Sequence, residues 1–444
     1  MALQTKSKDE VFEAIDKYNV RFVRIWFTDI LGVPKSFAIN PSELEGAFSE
    51  GMGFDGSSIE GFARIHESDM VAKPDPTTFQ LIPWRQQENG VARMFCDIQN
   101  PDGSPYEGDP RYVLKRNLER IKDKGYSFLV GPELEFFYFK NEHSTEVLDS
   151  GGYFDLTTAD NASDLRRDTI LALDSMGIDV EYSHHEVAPS QHEIDLRYAE
   201  GLKMADMTMT YRIVVKEIAR SQGVYATFMP KPVFGINGSG MHTHQSLFLG
   251  AKNAFFDPAD HFNLSEIAKC YIAGLMRHAR EMTVINNQWV NSYKRLVPGY
   301  EAPVYVSWAR RNRSTMIRVP MYKPGKEQAT RIEFRSPDPS CNPYLSFAVQ
   351  LAAGLAGIEG KYPIPDPIEE DIYEMNQKGR EARGIQSLPG NLYEALQEVK
   401  KSTLVREALG DHIFEKFIEN KEIEWDRYRT HISRYELEKY LPIL

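Results

Sequence analysis

The 444-residue chain begins with short alternations of apolar and polar positions. Residues 8–18 carry a helical spacing, and "VRFVRIWFTDI" (20–30) alternates with the period of a β-strand. Leu31-Gly32 turns the chain towards "PKSFAIN". Asn89-Gly90, between "FQLIPW" and "VARMFCDI", suits a tight primed hairpin turn. The turn cluster Asn100-Pro101-Asp102-Gly103 then separates a small, strand-rich α+β unit (1–107) from a larger one (108–444). The larger unit opens on a helix with Asp109 as N-cap, Pro110 in the first turn and Gly125 past its end. "SFLVGPELEFFYF" (127–139) reads as a strand, and helices follow over about 160–176, 202–222, 264–285 and 343–359. In "RIEFR" (331–335) the alternation puts Arg331, Glu333 and Arg335 on one face and Ile332 and Phe334 on the other. The charged, helical remainder, with "EIEWDRYRTHISRYELEKY" near its end, reads as packing and assembly surface.

Composition narrows the class. The net charge of −12, with no long basic run, argues against a nucleic-acid partner. Cys96, Cys270 and Cys341 are widely spaced and form no CxxC, which fits a reducing compartment rather than a disulfide framework. The polar N-terminus holds no apolar signal core. The most apolar stretch, "LSFAVQLAAGLAGIEG", falls short of the about 20 apolar residues of a membrane span. A cytoplasmic protein is expected.

Acids, histidines and arginines recur at strand spacing. Glu133 and Glu135 point the same way among Phe, Leu and Val. Such a pair is either a solvated edge or, if buried, in need of a cation. Glu186 and Glu193 bracket Ala188-Pro189 and can converge across a bend. His184, His185 and His192 invite a zinc hypothesis, but the first two face opposite ways on a strand and no HExxH helix is present. Asn237-Gly238-Ser239-Gly240 is either a backbone that approaches a ligand closely or a simple hairpin turn, and His242 and His244 share a strand face. Pro298, Gly299 and Pro303 constrain a loop around Glu301; Arg295, Arg313 and Arg318 suggest an anion site, while Arg310 and Arg311 read as surface charges. Within "MGFDGSSIEGFARIHESDM" (52–70), Asp55 is the first candidate for chemistry. Glu133, Glu135, Glu186, Glu193, Glu333 and His242 make a hard, oxygen-rich ligand set that favours Mg²⁺ or Mn²⁺, in a number suited to two ions. Two ions beside several arginines is the layout of phosphoryl transfer. The residues alone point to an ATP-dependent enzyme with two divalent metals and an acidic co-substrate.

"FDGSSIEGF", "GPELEFFYF", "HHEVAPSQHEID", "NGSGMHTHQSLF", "NSYKRLVPGYEAP", "RNRS" and "RIEFRSPDPSCNPY" occur in the order found in type I glutamine synthetases, which the chain resembles along essentially its whole length. The resemblance implies a β-grasp N-terminal domain and a catalytic domain with a curved antiparallel sheet backed by helices. It implies a homododecamer of two hexameric rings with active sites between subunits. The implied reaction joins ammonia to L-glutamate through γ-glutamyl phosphate, giving L-glutamine, ADP and phosphate.

By motif, Glu135, Glu186 and Glu193 would hold one metal, and Glu133, His242 and Glu333 the second. Arg295, Asn237, Gly238 and Arg335 would position glutamate, and Arg313 and Arg318 would stabilise the phosphoryl group. Tyr198, His244, Ser246 and Arg331 would line the nucleotide pocket. Asp55 of a neighbouring subunit would deprotonate ammonium in a pocket completed by Ser58, Tyr153, Glu186 and Glu301, with Glu301 also closing the site as a flap. Arg64 resembles a feedback arginine of the shorter, non-adenylylated subtype. Three positions depart from the family pattern: Ser190 stands for a glycine, Gln328 for a basic residue, and Tyr373 lies in "DIYEMNQKG" without the Leu-Pro-Pro of the adenylylated loop. The competing readings are a γ-glutamyl-amine ligase, which should lack some of Asp55, Glu186 and Glu301, and a non-catalytic assembly protein, which should have lost metal ligands.

Overall fold

A computed structural model describes residues 3–59, 61, 69–85, 88–156, 160, 162–321 and 323–444. Arg64 lies outside them. The N-terminal helix Lys8–Lys17 is capped by Ser7, whose hydroxyl accepts the Glu10 N–H, and it buries Val11, Ala14 and Ile15 on one stripe. It packs on a six-stranded sheet ordered Pro34–Ile39, Val20–Thr28, Gly90–Gln99, Asp69–Pro74, Met52–Asp55, with Gln80–Leu81 also paired to Gly90–Gln99. Val20–Thr28 and Gly90–Gln99 run parallel and the other pairs antiparallel, a mixed sheet of β-grasp type.

Asn89-Gly90 does not form the expected tight turn. Leu81 pairs with Ala92, residues 82–89 make the connection, and Gly90 is already in the strand. Ile82 leaves the sheet to bury itself in the core of the larger unit, and Pro83, which has no N–H to give a ladder, follows it. Burial outweighs the local turn preference.

The two units have separate cores. One gathers Val23, Ile25, Phe27, Leu44, Met94 and their neighbours. The other fills the larger unit but takes in Trp26, Ile30, Ile82 and Phe95 from the first. Arg111 crosses the seam, pairing with Asp75 and Asp97 of the small unit and Asp206 of the large one at 2.7, 2.5 and 3.0 Å. Arg111→Met should cost about 3 kcal/mol, because it removes the arginine from the buried Asp206 carboxylate and from the partly buried Asp75. A fall in the urea midpoint at unchanged slope checks this.

The second sheet has ten strands, seven of them along the path Trp308–Ala309, Ile317–Arg318, Ile332–Phe334, Met241–Leu249, Tyr126–Phe139, Gln191–Leu196, Val180–His185; Ala199–Glu200 and Tyr225–Thr227 also pair with Tyr126–Phe139, and Lys252–Asn253 with Met241–Leu249. Among these neighbours all pairings but Trp308–Ala309 with Ile317–Arg318 are antiparallel. Helices Glu266–Asn286 and Pro343–Glu359 lie against each other behind it. They cross closely because Gly274 and Gly357 leave no side chain at the contact; a Cβ on Gly357 would sit 2.0 Å from the Cys270 carbonyl oxygen. Among the described residues no helix is long and apolar enough to cross a membrane.

Candidate active site

Register, more than sequence proximity, assembles the site. Opposite residues of an antiparallel pair share a face. Met241–Leu249 sets His242 opposite Glu133, and His244 opposite Glu333 of the next strand. Gln191–Leu196 sets Glu193 opposite Glu135, and Ile317–Arg318 sets Arg318 opposite Glu333. The "RIEFR" face is therefore interior at Glu333, 1% exposed, and Arg335, 6% exposed, while Arg331 at its edge is exposed.

A cavity of about 280 Å³ opens over this face, lined by Glu133, Glu135, Glu186, Glu193, His242 and Glu333, with Tyr153, Asn237, Gly238, Arg295, Glu301, Arg313, Arg318 and Arg335 around them. An adjoining cavity of about 210 Å³ is lined by Tyr198, His244, Ser246, Gln328 and Arg331, and shares Glu133 with the first. A larger cavity, about 720 Å³, follows the seam near Arg93 and Arg111 and holds none of these residues. Asp55 and Ser58 line neither site cavity of their own chain. Asp55 is exposed at the end of its strand, and the Ser57 N–H bound to its carboxylate at 2.8 Å holds it below the usual range.

The six candidate ligands form two groups of unlike charge balance. Glu135, Glu186 and Glu193 bring oxygens within 4.8 Å of one another, all buried. Burial, then repulsion from Glu133, pushes Glu135 up to about 7. Burial and the charge of Glu135 push Glu186 up to about 8. Burial and Asp195 hold Glu193 well above the carboxylate range. The Gly240 N–H and the Gln191 amide, each 2.9 Å from Glu135, do not offset this. Three crowded carboxylates here call for a divalent cation with oxygen preference, and the donor set suits Mg²⁺ or Mn²⁺.

Glu133, His242 and Glu333 form the second group, also within 4.8 Å. Here cations are already present. Burial opposes ionisation of Glu333, yet Arg335, His244 and His242 hold it down to about 2. Its two oxygens face Arg335, at 2.7 Å, and Arg318. Glu133 stays well below its usual range against burial because His244 and His242 lie beside it. Arg331 donates to Nδ1 of His244 at 3.1 Å, which leaves Nε2–H to donate to Glu133 at 2.7 Å.

The segment Asn237–Gly240 is not a hairpin turn; its glycines admit Arg295. A Cβ on Gly238 would meet the Pro230 carbonyl oxygen at 2.4 Å and Arg295 Cγ at 3.1 Å, and one on Gly240 the Arg295 guanidinium at 2.7 Å. Arg295 itself donates to the Ser336 and Arg335 carbonyls at 2.8 and 3.1 Å. Glu301 has a left-handed φ of 55°, rare outside glycine and met at strained functional sites; the Asn237 amide reaches it at 3.3 Å. Gln328 lines the second cavity, but its amide oxygen accepts the Asn253 N–H at 3.1 Å.

His184, His185 and His192 do not meet as a triad. His184 lies 3.5 Å from Glu186 and 3.7 Å from Glu193, on the cavity side. His185 and His192 turn to the opposite face, towards Asp149. Arg166 donates to Nδ1 of His192 at 2.8 Å, so Nε2 carries the hydrogen and offers a metal no lone pair. Sequence reasoning missed Gln191, Tyr182, Asp195 and the Gly240 N–H. Gln191 and Asp195 sit two residues either side of Glu193 on the same strand face, and that period could have found them.

Residues 19–101 match the glutamine synthetase β-Grasp domain and residues 107–440 the glutamine synthetase catalytic domain. A glutamine synthetase of Mycolicibacterium smegmatis is 53% identical over 444 residues, covering 99% of this chain and 100% of the relative. One of Methanosarcina mazei is 52% identical over 442 residues, covering 99% and 98%. The cryo-EM structure of Plasmodium falciparum glutamine synthetase is similar with a TM-score of 0.89 at 26% identity, over 99% of each chain. With both domains matched in order and half the residues shared end to end, the chain belongs to the type I glutamine synthetase family and is a glutamate–ammonia ligase.

Proposed function

We propose that the larger cavity of the pair takes glutamate and ammonium and the smaller takes ATP, with two divalent ions between them and the division of the chain into domains after residue 107. The observation that carries this reading is the uncompensated triad of Glu135, Glu186 and Glu193 beside an arginine-rich second group. Glu135, Glu186 and Glu193 would hold the ion nearer glutamate, and Glu133, His242 and Glu333 the ion nearer the phosphates. Bound there, the ions would neutralise the phosphates and the reacting carboxylate as charge shifts in the transition state.

The protein groups do the positioning. Arg295, Asn237 and Gly238 orient glutamate, and Arg335 holds its reacting γ-carboxylate towards the nucleotide. Tyr198, His244, Ser246 and Arg331 line the nucleotide pocket. Arg318 binds Glu333 in the resting site; with Arg313 it can turn to the transferring phosphoryl, where such an arginine is worth ~10³–10⁵ in rate. A carboxylate is a poor electrophile, so phosphorylation to γ-glutamyl phosphate supplies a leaving group. Ammonium must lose a proton before it attacks. Asp55 of a neighbouring subunit stays ionised, attracts the cation and accepts that proton, which frees the nitrogen lone pair that then forms the C–N bond. Ser58, Tyr153, Glu186 and Glu301 complete the ammonium pocket, and Glu301 closes over the acyl phosphate against water and takes the second proton.

The need for a neighbour's Asp55 supports a homododecamer of two hexameric rings, as do the exposed apolar residues Ile432, Tyr435, Leu437, Leu441 and Ile443 of the C-terminal segment. Truncation after Thr430 is expected to dissociate the assembly, read as a fall in mass by light scattering. The free thiols of Cys96, Cys270 and Cys341 favour a cytoplasmic setting. Tyr373 donates its hydroxyl to the Ala302 carbonyl in the Glu301 loop and is partly buried, which supports the absence of adenylylation there.

The test is ADP release by purified protein with Mg²⁺, glutamate and either ammonium or a panel of amines. Turnover with an amine but not ammonium would overturn the ammonium pocket, and no turnover with any would favour an assembly role.

A further inference from the structure

The bend that carries Glu186 and Glu193 is held from behind by a buried cluster that the reaction does not touch. Ser190 has φ 59°, the left-handed conformation that favours glycine. Its hydroxyl does something glycine cannot. It accepts the N–H of Leu148 at 2.6 Å and of Asp149 at 3.3 Å. Asp149, whose side chain is fully buried, returns the contact: its Oδ1 accepts the Ser190 N–H at 2.8 Å and faces His185 Nε2 at 3.0 Å. His185 in turn donates from Nδ1 to the Glu186 carbonyl at 2.6 Å.

The segment so fastened runs on to the cavity. Gly151 lies flat on the His185 ring, where a Cβ would come within 2.7 Å. The Phe154 N–H donates to the His185 carbonyl at 3.1 Å, Phe154 stacks on His184 at 4.4 Å, and Tyr153 reaches the cavity wall. Both ends of the ammonium pocket, Tyr153 and Glu186, thus hang on one reciprocal joint.

We propose that Ser190 and Asp149 are positioning residues that clamp the segment bearing Tyr153 to the bend bearing Glu186, and so set the geometry of ammonium and of the ion at Glu135, Glu186 and Glu193. The clamp rests on the reading of that triad given above. It acts through other residues, so its loss should shift particular affinities rather than all parameters together.

The test uses the full-length assembled protein. Ser190→Gly removes the hydroxyl but suits the left-handed backbone; Ser190→Ala removes the hydroxyl and keeps the strain. Both are expected to raise KM for ammonium and the Mg²⁺ dissociation constant by roughly 10-fold, the scale of lost outer-shell partners of a metal site, with KM for ATP unchanged. The melting temperature should fall further in Ser190→Ala than in Ser190→Gly. Wild-type ammonium KM and Mg²⁺ affinity in Ser190→Gly would overturn the clamp, as would an equal loss in every parameter. If the wild type makes no glutamine, the ammonium reading fails on its own, and the Mg²⁺ titration still decides the clamp.

Discussion

Glu333→Ala should abolish turnover, with a loss on the order of 10³-fold or more, the scale of removing a charge-organising group from phosphoryl transfer. Glu333 lies 3.6 Å from His242, is 1% exposed, and binds Arg318 and Arg335 through separate oxygens. Its removal frees the half-buried Arg318 and takes from the buried Arg335 its ion-pair partner, a destabilising change. Glu333→Gln keeps the shape and part of the hydrogen bonding, which separates loss of charge from loss of fold. Both variants should release ADP at background rates, and Mg²⁺ titration should show one strong site fewer than in the wild type. Near-normal turnover in either would sink the assignment of the second ion.

The second large effect is on pH. The folded-state values of Glu135, about 7, and Glu186, about 8, lie above their unfolded value of 4.5. The stability linked to these groups is therefore fully present below pH 4.5, and is lost as pH rises through 7 and then 8. Without divalent ions the protein should melt at progressively lower temperature from pH 5 to pH 8, and Mg²⁺ should restore it most at the alkaline end. The same protons must leave when the ion enters. About three should be released at pH 6, one each from Glu135, Glu186 and Glu193, with affinity rising about tenfold per proton per pH unit. Calorimetry in buffers of different ionisation enthalpy counts them. Release of fewer than one would show that the raised triad is not where the strongest ion binds.

Local pattern carried much of the architecture. The helix cap at Asp109 lies next to the helix it begins, so its chemistry can be read in place; the caps at Ser7, Ser265 and Asn342 are of the same local kind. The ligand residues were legible for a similar reason. Glu133 and Glu135 in an apolar strand, or Glu333 between two arginines, are costly arrangements that make sense only beside other charges. Asn89-Gly90 misled, because a dipeptide reports turn preference and not the burial available to Ile82 several residues earlier.

What the linear order of residues settled was the set of chemical groups: two α+β units, oxygen ligands in number for divalent ions, arginines for anions, and a family pattern with Ser190 out of place. Strand alternation and capping act over a few residues, so they survive translation into one dimension. The division of labour came from packing. Register put His242 across from Glu133, Glu193 across from Glu135 and Arg318 across from Glu333, and Asp55 lines no site cavity of its own chain. Desolvation and Coulomb forces depend on distance and burial, and those exist only once strands far apart in the chain lie side by side.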